Sequence, residues 1–309
     1  MTDEHEQVVA SDLIAPDAVI ERVATGCIWS EGPVWLPERQ VLRWSDIPND
    51  QIMDYDAERD HASVYRSGVE FTNGRTLDLD GSVLQCSHGR RRVERDRDGV
   101  VTNVVDHFRG HRLNSPNDVV VHSDGSIWFT DPPYGILLEV EGHPGVREYG
   151  DCYVFCYEPR TDELRAVVID VEHPNGLAFS PDESILYVAD TSGSLPAHLG
   201  GHPGEGSGNH HLRAYDVDRG RAKNGRTLAV VEGGRADGFR VDEQGRIWTS
   251  VDHSIAVYSP AGQRLLLLEV PELTSNVCFG GADGHDLYIT ASTSLYRIRT
   301  TTRQAPRPT

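Results

Sequence analysis

Apolar residues alternate with polar ones along this chain in short bursts, and each burst breaks at a turn. Six segments share one layout: a small polar or acidic residue, often followed by Gly or Pro, then alternation, a turn and a second burst. They read EGPVWLPERQVLRWSD from Glu31, NGRTLDLDGSVLQCS from Asn73 and NDVVVHSDGSIWFTD from Asn117. NGLAFSPDESILYVAD from Asn175, DGFRVDEQGRIWTSV from Asp237 and NVCFGGADGHDLYITA from Asn276 continue the series. A period of two is the mark of a half-buried strand, because successive side chains point to opposite faces. The turns (PERQ, DLDG, HSDG, SPDES, DEQG, GADGHD) are built from Asp, Gly, Pro and Ser, which accept the backbone angles that tight reversals need. Further strand-like runs, SVYRSG, RRVERD, CYVFCYEP, HLRAYDV and IAVYSP, lie between the copies. No long 3.6-residue periodicity appears, so the pattern predicts an all-β chain.

A repeat of roughly 40–60 residues with about four short strands each is the signature of a β-propeller. One such sheet cannot bury both faces alone; six packed around an axis can, and the ring leaves only short edges. Six copies predict six blades. After Asn276 only about three strands remain, ending near SLYRIRT. The run DAVIERVAT, residues 17–25, is expected to supply the fourth strand and close the ring from the N-terminal side. The predicted organisation is a flexible arm over 1–16, one propeller over 17–300 and a flexible tail over 301–309.

Composition narrows the partners. Of 309 residues, 38% are hydrophobic and 25% charged, which suits a folded globular chain. Asp plus Glu (48) outnumber Lys plus Arg (29), a formal charge of −19. Such a surface repels phosphate backbones and anionic lipid, which argues against nucleic-acid and membrane partners. The acidic start MTDEHEQVVASDLIAPDAV lacks the basic and apolar regions of a signal peptide, and the apolar run Leu265 to Leu268 is too short to span a bilayer. Five scattered cysteines, an odd number, fit free thiols in a cytoplasmic protein.

The residue that opens each repeat carries the candidate chemistry. In a propeller the innermost strand of each blade follows the central channel, so its first residue faces the axis from one rim. Here those residues are Glu31, Asn73, Asn117, Asn175, Asp237 and Asn276, and every one is an oxygen donor. Asn and Asp also open strands because they suit turns. Glu is a poor turn former, so Glu31 needs another reason. An oxygen-only ring suits one hard divalent cation, with Ca2+ the natural candidate; Mg2+, Mn2+, Zn2+ and Fe2+ remain open because oxygen sites accept several.

The motifs SEGPVW, NSPNDVVVHSDGSIWFTDPPYG, HPNGLAFSPDESILYVAD and ADGFRVDEQGRIW resemble those of the SMP-30/gluconolactonase family. The likeness runs over most of the chain, and EGP, PND, PNG and ADG occur in order. CSHGRRRVERD and LNSPND are similar to the bacterial gluconolactonase branch. The resemblance implies a lactonase that opens a sugar lactone, a small-molecule substrate. It further implies that Glu31, Asn117, Asn175 and Asp237 hold the cation, with Asp237 as catalytic base. Asn73, Asn117, Asn276, His88, Arg112 and Tyr134 are the expected substrate contacts. Animal members carry an Arg two residues before the PND asparagine; Ser115 stands there, and Arg112 is the candidate to replace that contact.

A cation on the axis would polarise the lactone carbonyl and stabilise the oxyanion formed when water adds. A carboxylate bound to a cation is a weak base, so two routes stay open: Asp237 takes the proton, or the cation acidifies its own water. No GxSxG elbow, HExxH or GxxxxGK[ST] motif offers a rival chemistry. Two alternatives remain, a hydrolase of other lactones or organophosphates on the same scaffold, and a non-enzymatic calcium-binding propeller. The Gly, Pro and His-rich stretch 192–211 interrupts the repeat; it reads as a solvated loop, with a lid over the channel mouth as the open alternative.

Overall fold

The computed structural model describes residues 12–192 and 208–308. Six four-stranded antiparallel sheets make up almost all of it. The first strands of successive sheets are Ser30–Leu36, Thr72–Leu77, Val119–Val121, Pro174–Phe179, Ala236–Val241 and Thr274–Gly280. Each packs beside the next, and the sixth packs back on the first, so the sheets form a closed six-bladed propeller. The strand-like runs between the copies supply third and fourth strands, among them Arg92–Arg97 and Tyr153–Glu158 as third strands and His61–Ser67 as a fourth.

The ring closes as the alternation predicts. Glu21–Thr25 pairs antiparallel with Ser294–Arg299 and becomes the outermost strand of blade six. Two corrections concern the ends. Leu13 and Ile14 are buried and join the apolar cluster of blades five and six, and Ile14 bridges to Thr300, so residues 12–16 are seated rather than free. The tail is seated too. Thr302 is buried, Gln304 bridges to Asp242, and an Arg307 N–H donates to the Leu77 carbonyl in blade two. Their apolar and backbone groups find partners on the ring, which composition alone does not reveal. One short helix, Tyr134–Leu137, lies in the excursion after the second strand of blade three. It is one turn long, too short for any periodicity to register.

Apolar clusters fill the gaps between neighbouring blades, for example Trp248 with Phe279 between blades five and six and Trp128 with Leu177 between blades three and four. The gap between blades one and two differs. Its apolar cluster holds only Val34, Leu36 and Val83 as buried members, and charge does the rest. Arg43, nearly fully buried, donates twice to Asp54 at 2.7 and 2.8 Å and stacks 3.3 Å above the Tyr65 ring. Near the axis, side chains bind the inner strands together. Ser275 Oγ donates to the Ser30 carbonyl, and Arg75 donates to the Gly32 carbonyl and to Ser45 Oγ. All five cysteines are free and buried, as packing residues. No helix among the described residues is long and apolar enough to cross a membrane.

Candidate active site

The first strand of most blades slips register at its axial residue. The irregularity falls between Glu31 and Val34, Thr72 and Arg75, Pro174 and Leu177, and Ala236 and Phe239. A bulge of this kind bends the strand and re-aims a side chain. Here it spans Asn73, Asn175 and Asp237 and adjoins Glu31, the residues that face the axis.

These side chains meet in one cavity of about 340 Å3 at the rim of the channel. Glu31, Asn73, Asn117, Asn175 and Asp237 line it from five different blades, together with Tyr134, Glu141, Thr191, His210 and Arg235. Glu31 Oε2 accepts the Gly32 N–H at 2.6 Å and the Asn276 Nδ2 at 3.3 Å. Asn175 Nδ2 donates to Thr191 Oγ1 at 3.3 Å. The Tyr134 hydroxyl bonds the same Thr191 oxygen, and its ring meets His173 edge-on at 5.6 Å.

The electrostatics are those of acids brought together away from water. Burial pushes the Glu31 carboxyl up to about 8, against the hydrogen bonds from Gly32 and Asn276. Burial and then the charge of Glu31 raise Asp237 well above the usual carboxylate range, with Glu141 and Asp118 adding to it. Beneath them Asp118 is raised by burial, opposed by the Arg240 guanidinium 3.6 Å away. Among the described residues no three His, Cys, Asp or Glu side chains gather as a metal site. The convergent set is instead two carboxylates and two amides, whose oxygens suit a hard divalent cation that would offset the repulsion between Glu31 and Asp237. One more buried oxygen, Asn73 Oδ1, lacks a hydrogen-bond partner among the described residues.

Three expected contacts lie elsewhere. Asn276 sits behind Glu31, with its Oδ1 on the Val277 N–H and its Nδ2 on the carboxylate. His88 is fully buried below the cavity lining, between Asn73 and the Glu141 backbone. Arg112 is exposed in the short hairpin strand His111–Arg112 and does not line the cavity. That hairpin turns it outward, while the buried Arg91 takes the inner position and donates to the Leu113 carbonyl. Ser115 ties the excursion of blade three, donating to the Pro132 carbonyl and accepting from the Gly135 N–H. Of the Gly, Pro and His-rich stretch 192–211, 193–207 lies outside the described residues; His210 at its end lines the cavity.

The sequence reading missed Glu141 and Thr191. Neither opens a repeat, and only folding brings the blade-three excursion over the axis. The length of that excursion, between FTD and CYVF, was the available signal.

A family model described as the SMP-30/gluconolactonase/LRE-like region matches residues 29–293. The chain belongs to this family. The gluconolactonase of Zymomonas mobilis is 31% identical, over 92% of this chain and 82% of that protein. Pentonolactonase XacC of Haloferax volcanii is 28% identical, over 87% of this chain and 84% of its own length. A solved gluconolactonase from Xanthomonas campestris superposes with a TM-score of 0.84 at 34% identity, over 94% of this chain and 91% of that one. Within this SMP-30/gluconolactonase chain, Glu31, Asn117, Asn175 and Asp237 are the residues of EGP, PND, PNG and ADG.

Proposed function

We propose that this chain is a metal-dependent lactonase that opens a sugar lactone with water. The observation that carries the reading is the convergence of Glu31, Asn117, Asn175 and Asp237, from four blades, on one cavity. The sugar-lactone hydrolases among its relatives support the substrate class. The four oxygens would hold a divalent cation, calcium by the hardness of the donor set. Bound there, the cation would supply Lewis-acid polarisation of the carbonyl and neutralise the developing oxyanion.

The residues do the rest. Asn276 and the Gly32 N–H fix the Glu31 carboxylate on one side of the cavity. Thr191 accepts from the Asn175 amide and steadies it, and the amide oxygen would serve as the ligand. Asp237 takes the proton of the attacking water as the new C–O bond forms, and returns it to the alkoxide when the ring C–O bond breaks. The product is the open hydroxy acid, with atoms balanced by one water.

The test is a pH-indicator assay of δ-gluconolactone hydrolysis on chelator-stripped protein with single metals added back, the spontaneous rate subtracted. Metal-dependent turnover supports the reading and names the ion. No turnover with any metal sinks it and shifts the choice to other lactones and phosphoesters.

A further inference from the structure

Three aspartates outside the cavity lining repeat one arrangement. Asp46, Asp131 and Asp190 end the second strands of blades one, three and four, and all three are buried. Each accepts a backbone N–H just ahead of a candidate cation ligand. Asp46 Oδ1 takes those of Ile28 and Trp29 at 3.0 and 3.2 Å, ahead of Glu31. Asp131 Oδ2 takes that of Asn114 at 2.8 Å, ahead of Asn117, and Asp190 Oδ1 takes that of His173 at 3.2 Å, ahead of Asn175.

The same carboxylates tie the connection between the second and third strands of their blade. Asp46 Oδ2 accepts from Asn49 Nδ2 at 2.7 Å, Asp190 Oδ2 from Asn209 Nδ2 at 3.2 Å, and Asp131 Oδ2 from the Tyr149 hydroxyl. These three connections form part of the cavity wall, through Ile47 in blade one, Tyr134 and Glu141 in blade three, and Thr191 and His210 in blade four. Each aspartate thus joins a ligand's approach to the wall beside it.

The blade geometry does not ask for an acid here. The last residues of the other three second strands are Ser87, Val251 and Ala291, in blades two, five and six. A buried carboxylate is costly unless donors meet it, so three of them need a reason beyond strand pairing. Blades two and six supply none of the four candidate ligands and have no acid at this position. Blade five supplies Asp237, yet it passes from its second to its third strand through Asp252 and His253 alone, a turn with no loop to tie.

We propose that Asp46, Asp131 and Asp190 are positioning residues that hold Glu31, Asn117 and Asn175, through the backbone, at the spacing a divalent cation needs. The proposal rests on the candidate ligand set and names what orders it. Hydrogen bonds to an ionised acceptor are about twice as strong as neutral ones. They fix each ligand's approach and leave the ligand's own side chain out of the tie.

The experiment titrates Ca2+ by calorimetry into chelator-stripped wild type, Asp46→Ala, Asp190→Ala, Asp46→Asn, Asp190→Asn and Ser87→Ala, with a denaturant melt of each. Kd is expected to rise about tenfold or more in the two alanine variants, the usual cost of losing a group that orients a metal ligand. The asparagine variants keep an acceptor for the backbone N–H and lose the tie to the loop amide. A rise of about threefold is expected of them, the worth of one net hydrogen bond, and they decide the matter if an alanine variant does not fold. Ser87→Ala removes the blade-two hydroxyl that donates to the Glu70 carbonyl, and is expected to lose stability at the wild-type Kd. A wild-type Kd in the folded aspartate variants, or an equal loss in Ser87→Ala, overturns the positioning role and leaves the ligand set standing. A wild type that binds neither Ca2+ nor another divalent cation removes the ligand set, and the positioning role with it.

Discussion

Asn276 of blade six donates from Nδ2 to the Glu31 carboxylate of blade one at 3.3 Å, across the seam where the ring closes. Closure of the fold and orientation of a candidate cation ligand are therefore one event. The amide is tightly packed on its other side as well: a Cβ on Gly238 of blade five would lie 1.9 Å from the Asn276 side-chain Cγ. Gly238→Ala is expected to push that amide off Glu31. The cost is about 1–3 kcal/mol of stability, as for overpacking elsewhere, with a loss of turnover at unchanged substrate and metal. Denaturant melts and the lactone assay check both; wild-type stability and activity would show that Asn276 does not hold Glu31.

The same seam predicts the effect of truncation. Removing residues 1–25 takes away the outer strand of blade six together with Leu13 and Ile14. Burial of each apolar side chain is worth about 1.5–3 kcal/mol, and about 2–4 °C of Tm accompanies each kcal/mol in a domain of similar size. A fall of roughly 6–24 °C is expected from those two side chains, before the lost ladder is counted. Calorimetry decides it: an unchanged Tm would mean that the strand is dispensable for closure.

Loss of a cation ligand should separate from loss of fold. Asp237→Ala and Glu31→Gln are expected to reduce turnover by about 10²–10⁴-fold, the range for a missing acid–base group, and to weaken metal binding. The circular dichroism of both should remain native, since each replaces a strained acid with a neutral group. Calorimetric metal titration is the check, and near-wild-type affinity in either variant would remove that residue from the site.

Asp131 offers a pH signature away from the candidate ligands. It is fully buried, accepts the Asn114 N–H at 2.8 Å and the Tyr149 hydroxyl, and burial raises it from 3.8 to about 8. The folded chain keeps this proton up to about pH 8 while the unfolded chain releases it near 3.8. Stability from this group is thus complete at low pH and is lost as pH climbs through that window. Asp131→Asn, neutral throughout, should flatten the slope of Tm against pH between about 5 and 8. An identical slope in the variant would assign the dependence to other groups.

The alternation of apolar and polar residues determined the six blades, the strand that closes them and the six oxygen donors that open the repeats. Those are local properties: a period of two fixes which face a side chain takes, and a turn fixes where the strand ends. In-order EGP, PND, PNG and ADG fixed the family. What the sequence could not supply is distance. Asn276 and Arg112 both looked like substrate contacts, yet one backs Glu31 and the other faces outward, because a bulge or a hairpin turns a side chain without changing the pattern that encodes it. Glu141 lies in no repeat, and the excursion that brings it to the cavity is seated by tertiary contacts such as Gly135 against His88. The seating of Ile14 and Gln304 was equally hidden, since each finds its partner far away in the chain. Local periodicity sets the blades; the partners of buried polar groups are chosen only when the ring has closed.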